Sequence, residues 1–215
     1  MNNKYHPNLD DYEITYGALP VDQGELISHL ENLLKLDPIR VAEEEKRISE
    51  IEWIEKEFTF FIIPKGTPRP RTDGNHFYVK GASQLHRIFK KFLREEGVIC
   101  TRIEYELRTY QPTPTKSMSK MEILLCEKGA IRPIATPDWD NLAKTYTDCL
   151  QDVMLLNDNI INPGKVEKFY SIKPRIVIRM RWQKEFDSRF NEKKTKNSTG
   201  YRKLFGTGSV DDGSE

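Results

Sequence analysis

Thr136-Pro137-Asp138-Trp139-Asp140-Asn141-Leu142-Ala143-Lys144, followed by Asp148 and then Asp158, is the stretch around which the chain is organised. Pro137 predicts an extended Thr136, and Asp140 or Asn141 is the expected N-cap of a helix that runs to about Val153. On that helix Leu142, Tyr146, Cys149, Leu150 and Val153 fall on one face, while Asp140, Lys144 and Asp148 descend the other at a spacing of four. The segment Met154-Leu155-Leu156-Asn157-Asp158-Asn159-Ile160-Ile161 is apolar around one acid, so it presents Asp158 from the connection between helix and strand. Three carboxylates are thereby expected to converge beside one lysine.

A set of hard oxygen donors of this kind suits a divalent cation such as Mg²⁺, which takes a few carboxylates and leaves positions for phosphate and water. The substrate such chemistry points to is a phosphodiester. The competing reading is structural: Asp140 caps the helix, Lys144 pairs with it, and Asp158 is a turn residue.

Pro137-Asp138-x-Asp140-Asn141-Leu142-x-Lys144, then Asp148-x-Leu150, then Asn157-Asp158, resembles the RusA family of Holliday junction resolvases, whose pattern reads roughly P-D-x-D-N-L-x-K, D-x-L and D-D. The run Pro64-Lys65-Gly66-Thr67-Pro68-Arg69-Pro70-Arg71, with Tyr78 after it, is similar to that family's proline- and arginine-rich segment, and the likeness extends from about Glu57 to Trp182. One position departs from the pattern: the acidic pair is Asn157-Asp158, so the ligand is matched to Asp158. The resemblance implies that Asp138, Asp140 and Asp158 hold Mg²⁺ and that Lys144 neutralises charge in the transition state. It further implies phosphate contacts from Lys65, Arg69 and Arg71, and a role for Asp148 behind the ligands.

The 215 residues suffice for one domain with extensions. Mean hydropathy is negative, no apolar run reaches membrane length, and the start of the chain has no signal-like apolar region, so a cytoplasmic protein without membrane contact is expected. Cys100, Cys126 and Cys149 lie far apart and form no CxxC pair, which argues against a disulfide framework or a zinc site. Charge is unevenly spread. Residues 1–56 carry 6 basic and 13 acidic side chains, a net of −7, whereas residues 57–182 carry 21 and 14, a net of +7. A basic middle fits a polyanion partner.

Residues 1–23 show no sustained period, and the stripe Leu26, Ile27, Leu30, Leu33, Leu34 predicts a helix stopped at Asp37-Pro38. Asp37 is expected to cap a second helix reaching about Glu55, with Pro38 in its first position and Ile48, Ile51 and Ile54 seeking a surface. Glu57 to Ile63 reads as a buried strand ended by Pro64, and Ser83 to Glu96 as a helix with Gly97 at its end. Thr101 to Tyr110 and Arg175 to Trp182 alternate as strands, and Met121 to Cys126 fits either a strand or a helical turn. From Gln183 onward the polar composition predicts a mostly disordered tail, with Tyr201 to Phe205 as a local anchor. No Gly-rich phosphate loop is present.

The fold class expected is α+β: a small mixed sheet with helices packed against it, as in the RusA family, over residues 57–182. A helical, acidic extension precedes it (1–56) and a polar tail follows (183–215). The function implied is a Mg²⁺-dependent endodeoxyribonuclease that resolves four-way DNA junctions by paired cuts, working as a homodimer. Two alternatives are a protein that binds branched DNA without cutting it, and a metal nuclease for other branched DNA. The lack of an E-x-K element after Asp138 argues against the PD-(D/E)xK nuclease pattern.

Overall fold

The structure is a computed structural model and describes residues 22–66, 71–73, 76–78, 82–151 and 153–206. It divides into two compact units, Met1–Glu50 and Ile51–Glu215. The described part of the first unit holds α1 (Gln23–Leu34) and α2 (Pro38–Ser49). Each starts as its sequence dictates: the Asp22 carboxylate accepts from Gly24 N–H at 2.7 Å, and that of Asp37 from Ile39 N–H at 3.0 Å, with Pro38 at the first helical position. The second helix stops at Ser49, short of the predicted Glu55. The β-branched and aromatic content of the next residues favours extended chain, so Ile54 sits in a strand.

That strand opens the second unit. In chain order the unit runs β1 (Trp53–Phe60), the short β2 (Arg71–Asp73) and β3 (His76–Tyr78), and α3 (Ala82–Leu93) with a 3-10 turn, Arg94–Glu96. Then come β4 (Ile103–Pro112), α4 (Lys120–Glu127), α5 (Trp139–Leu150), and a 3-10 turn, Asp158–Ile160. It closes with β5 (Ile161–Ser171), β6 (Arg175–Gln183), α6 (Arg189–Lys196) and α7 (Thr199–Phe205). The main sheet has the order β1-β6-β4-β5. β6 pairs antiparallel with both neighbours, and β4 with β5 is the one parallel pair, whose crossover carries α4 and α5. The mixed sheet expected from the sequence is therefore present. Its edge strand β5 follows Asp158, as the expected connection between helix and strand implies, but its bounds were not read, because Asn162, Pro163 and Gly164 hide the alternation at its start.

Period-two burial along β4 sends Ile103, Tyr105, Leu107 and Thr109 to one face. There they meet Phe89 and Leu93 of α3 and Leu142, Tyr146 and Leu150 of α5, with Ile176, Ile178 and Met180 of β6 beside them. The Phe60 and Phe89 rings are 4.8 Å apart between centroids. Truncating one of the fully buried members, such as Leu107 or Ile178, to alanine would cost about 2–5 kcal/mol. The opposite face is charged: Arg179 pairs with Glu55 (2.7 Å), Arg181 with Glu104 (3.2 Å) and Arg108 with Glu106 (2.9 Å). Part of the basic charge of the middle region is thus paired with acids within the sheet.

Within the tail expected to be mostly disordered, Arg189–Lys196 forms α6 and Thr199–Phe205, which contains the anchor expected at Tyr201 to Phe205, forms α7. The reason is local. Ser188 and Ser198 each accept a backbone N–H at the start of a helix, at 3.2 Å in both cases, and Tyr201 packs on Phe205 with ring centroids 4.7 Å apart.

Candidate active site

The helix that carries the acidic motif begins two residues earlier than expected. Asp138, rather than Asp140 or Asn141, is the N-cap of α5, because nothing after Pro137 opposes helical geometry and Leu142 N–H already bonds to the Asp138 carbonyl at 3.0 Å. Its side chain makes no capping hydrogen bond. Every other α-helix with a described N-cap has one. Asp140 stands in the first turn, and among the described residues neither it nor Lys144 takes part in an ion pair. Both are exposed. The capping and pairing roles that a structural reading would give Asp140 and Lys144 are therefore not filled.

Asp140, Lys144 and Asp158 line one open cleft of about 490 Å³, together with Trp139, Thr147 and Lys165. Asp158 reaches it from the 3-10 turn after α5, and that turn is fixed by Asn157, whose side-chain oxygen accepts from Asn159 N–H at 2.9 Å. The amide that replaces the family's first acid thus works as a cap that orients the second. Lys165 enters from β5, held at 3.0 Å by Glu167 and 3.6 Å by Glu106. These acids raise its pKa above the ordinary lysine value, Glu167 chiefly through its hydrogen bond.

The convergence of all three acids is not seen. Asp138 is exposed at the helix start and does not line the cleft, and among the described residues no three His, Cys, Asp or Glu side chains stand close enough to hold one ion. The physical reason lies in the helix: Asp138 and Asp140 are two residues apart across a helix start and so diverge around its axis. Asp148 also lies outside the cleft, exposed further along α5. Lys65 is exposed in the loop after β1. Arg69 lies outside the described residues, and of Arg71 only its place at the start of β2 is described.

Several residues that position the motif were not legible in sequence. Lys168 of β5 donates to the carbonyls of Ala135 (2.9 Å) and Pro137 (3.2 Å), fixing the approach to Asp138. Burial raises the pKa of the Tyr146 phenol to about 12, and its oxygen accepts the Lys65 N–H at 3.2 Å. Gly66 comes so close to α5 that a Cβ there would lie 2.5 Å from Asn141 Nδ2 and 3.1 Å from Pro137 Cβ. The loop bearing Lys65 is therefore seated directly on the acidic motif. A glycine next to a proline-rich run is the one signal that hinted at this close approach.

The donor set suits Mg²⁺. Magnesium is commonly held by one or two carboxylates, with substrate phosphate and water completing the octahedron, and Asp140 and Asp158 supply two uncommitted ones on a shared cleft. Lys144, Lys165 and Lys65 give the surroundings positive charge, as a phosphodiester backbone requires.

Comparison with known proteins gives a consistent result. A family model described as endodeoxyribonuclease RusA matches residues 61–181. The uncharacterized protein YqaN of Bacillus subtilis (strain 168) is 28% identical over 127 residues, which cover 55% of this chain and 89% of that protein. No helix among the described residues is long and apolar enough to cross a membrane.

Proposed function

Since the chain belongs to the RusA family of endodeoxyribonucleases, we propose that it resolves four-way DNA junctions by Mg²⁺-dependent hydrolysis of one phosphodiester in each of two opposed strands. The observation that carries this reading is the cleft in which Asp140, Asp158 and Lys144 meet without being used as caps or in ion pairs. Asp140 and Asp158 would hold the ion, and Asp138, at the start of the same helix, stands outside the cleft. When present, the ion supplies Lewis-acid polarisation of the phosphate and an activated water.

The remaining chemistry belongs to side chains. Lys144 faces the same cleft and places an ammonium against the non-bridging oxygens, whose charge grows as the water attacks. Lys165 contributes a second cation, held in place by Glu106 and Glu167. Lys65, and with it Arg69 and Arg71 further along the sequence, would grip the backbone; such contacts carry affinity and register but no base sequence. Junction choice then follows from shape. A junction of approximate two-fold symmetry with one site per chain calls for a closed homodimer, which sedimentation equilibrium should show with and without DNA.

The deciding test is a labelled four-way junction incubated with the protein and Mg²⁺. Paired, symmetric nicks are expected, and they should vanish with EDTA. A gel shift without nicks would instead establish a protein that binds branched DNA and does not cut it.

A further inference from the structure

A second cavity, of about 560 Å³, lies on the other side of the turn that carries Asp158. The turn is a shared wall: Asp158 faces the acidic cleft, while its neighbours Asn157, Asn159 and Asn162 line the second cavity. The far wall comes from Gln183, Phe186, Asp187, Asn191 and Lys194. All five lie beyond residue 181, where the family match ends.

The lining has a definite chemical character. Gln183 is 2% exposed, yet its Oε1 has no hydrogen-bond partner. A buried acceptor left unpaired costs roughly 1–3 kcal/mol, so the position is suited to receiving a donor. The amides of Asn159 and Asn162 each bring a donor and an acceptor to the lining, Asn157 adds its amide NH₂ while its oxygen caps the turn, and Leu156 and Phe186 add apolar surface. The charged part of the lining is mixed: Asp187, whose carboxylate accepts from Asn191 Nδ2 at 2.7 Å, stands with Arg102 and Lys194. Paired amide donors and acceptors, an aromatic ring and a size within the range of small-ligand sites match a nucleobase.

We propose that this cavity receives one unstacked base of the bound junction, from a nucleotide beside the scissile phosphate, and that Gln183 Oε1 accepts from that base's exocyclic amino group. The proposal rests on the reading of the acidic cleft as the cutting site. Asp158 and Asn159 are adjacent residues, about 3.8 Å apart between Cα atoms. The same turn therefore borders both the cleft and the cavity, so a strand whose phosphate is held at Asp158 passes the edge of the cavity. A branch point supplies unpaired bases at little energetic cost. Adenine, cytosine and guanine carry the required amino group; thymine does not. The cavity therefore reads base identity next to a site whose other contacts are to the backbone.

The test uses the full chain and four-way junctions carrying 5-iodocytosine at one nucleotide at a time around the branch, irradiated in EDTA, with cross-linked peptides mapped. At one position a cross-link to the segments 156–162 or 186–194 is expected. Gln183→Met keeps the side-chain length and removes the acceptor, and it should lower that yield roughly tenfold, as the loss of one buried hydrogen bond implies. Asn159→Ala, at an exposed position, should lower it several-fold and keeps the test sound should Gln183→Met fail to fold. The proposal is overturned if no position cross-links to these segments, or if both variants cross-link as the parent does. Parallel incubation in Mg²⁺ separates the two ideas: nicks without cross-links leave the nuclease standing and remove the base cavity, whereas variant-sensitive cross-links without nicks do the reverse.

Discussion

α4 and α5 are consecutive helices in the same crossover, yet their first turns are built on opposite principles. At the start of α4, Ser119 and Glu122 form a reciprocal capping box in which each side chain satisfies the other's backbone N–H. The start of α5 contains two aspartates, either of which is a good capping residue, and neither caps it. The second helix start is held from outside, by the Lys168 ammonium on the carbonyls of Ala135 and Pro137 and by Gly66 packed against Asn141 and Pro137. Where polar groups serve only stability, they are consumed locally; where they serve a ligand, stability is delegated to neighbours and the carboxylates stay open.

The largest effect that can break this comparison comes from the open carboxylates. Asp140→Asn and Asp158→Asn keep size and remove charge, and each should slow junction cutting roughly a hundredfold or more, since several kcal/mol of transition-state stabilisation is at stake. Both residues are exposed and have no ion-pair partner among the described residues, so thermal unfolding should be nearly unchanged, and junction affinity in EDTA should hold or rise as negative charge leaves the cleft. If Asp158→Asn cuts at the parental rate, Asp158 is not a ligand. If either variant instead melts several degrees lower, the site was structural after all.

Next in size is the external support. Lys168→Met removes a charged donor shared by two carbonyls and should destabilise the half-exposed site by about 1 kcal/mol. Displacement of the α5 start should also reduce cutting about tenfold, because small errors in ligand position are costly. Lys168→Arg should restore stability more fully than rate. An effect on stability without any loss of cutting would mean that the approach to Asp138 does not govern the site.

How far the sequence disclosed these two regions is instructive. Core-forming stripes were plain: Leu85, Phe89 and Leu93 in α3, Leu142, Tyr146 and Leu150 in α5, and the alternation of β4 all report directly on burial, because one period serves one face. Asp140, Lys144 and Asp158 were legible as a group because a short motif and one turn bring them to the same cleft. Lys168 was not, since a lysine in an edge strand looks like ordinary solvation until the strand is known to pass beside residues 135–137. The bounds of the parallel edge strand β5 escaped for the same reason: its pairing with β4 is a long-range contact, and Pro163 and Gly164 blur its local signal. The helical form of the two C-terminal segments escaped because composition was weighed above the capping serines at 188 and 198.

On the α4 side, Ser119→Ala should cost about 1 kcal/mol of stability at neutral pH and leave cutting untouched. Its pH dependence has a definite sign. Hydrogen bonds from the Ser119 backbone N–H and hydroxyl hold the Glu122 carboxyl below its ordinary range, so the folded value is depressed relative to the unfolded one. The contribution is therefore complete above the unfolded carboxylate range and is lost as pH falls through the folded value. Melts of parent and variant should differ most at pH 7 and draw closer in acid, where only the cap of the Ser119 hydroxyl on Glu122 N–H still separates them. A constant gap would assign the effect to the helix start alone and remove Glu122 from it.

The smallest expected effect concerns Asp148, which the motif groups with the site and the structure leaves outside it. It lies two turns down α5 from Asp140, exposed to solvent and absent from the cleft lining. Its neighbour Cys149 is buried, with its thiol pushed up to about 11 mainly by burial and in smaller part by the Asp148 charge. A carboxylate so placed faces solvent and does not border the cleft. Asp148→Asn should accordingly change cutting by less than about twofold, with any effect appearing as slightly easier ionisation of Cys149, measurable by its rate of alkylation against pH. A fall in cutting as large as that of Asp140→Asn would show that α5 presents its whole acidic row to the substrate, and that the boundary drawn between the open helix start and the rest of the helix is misplaced.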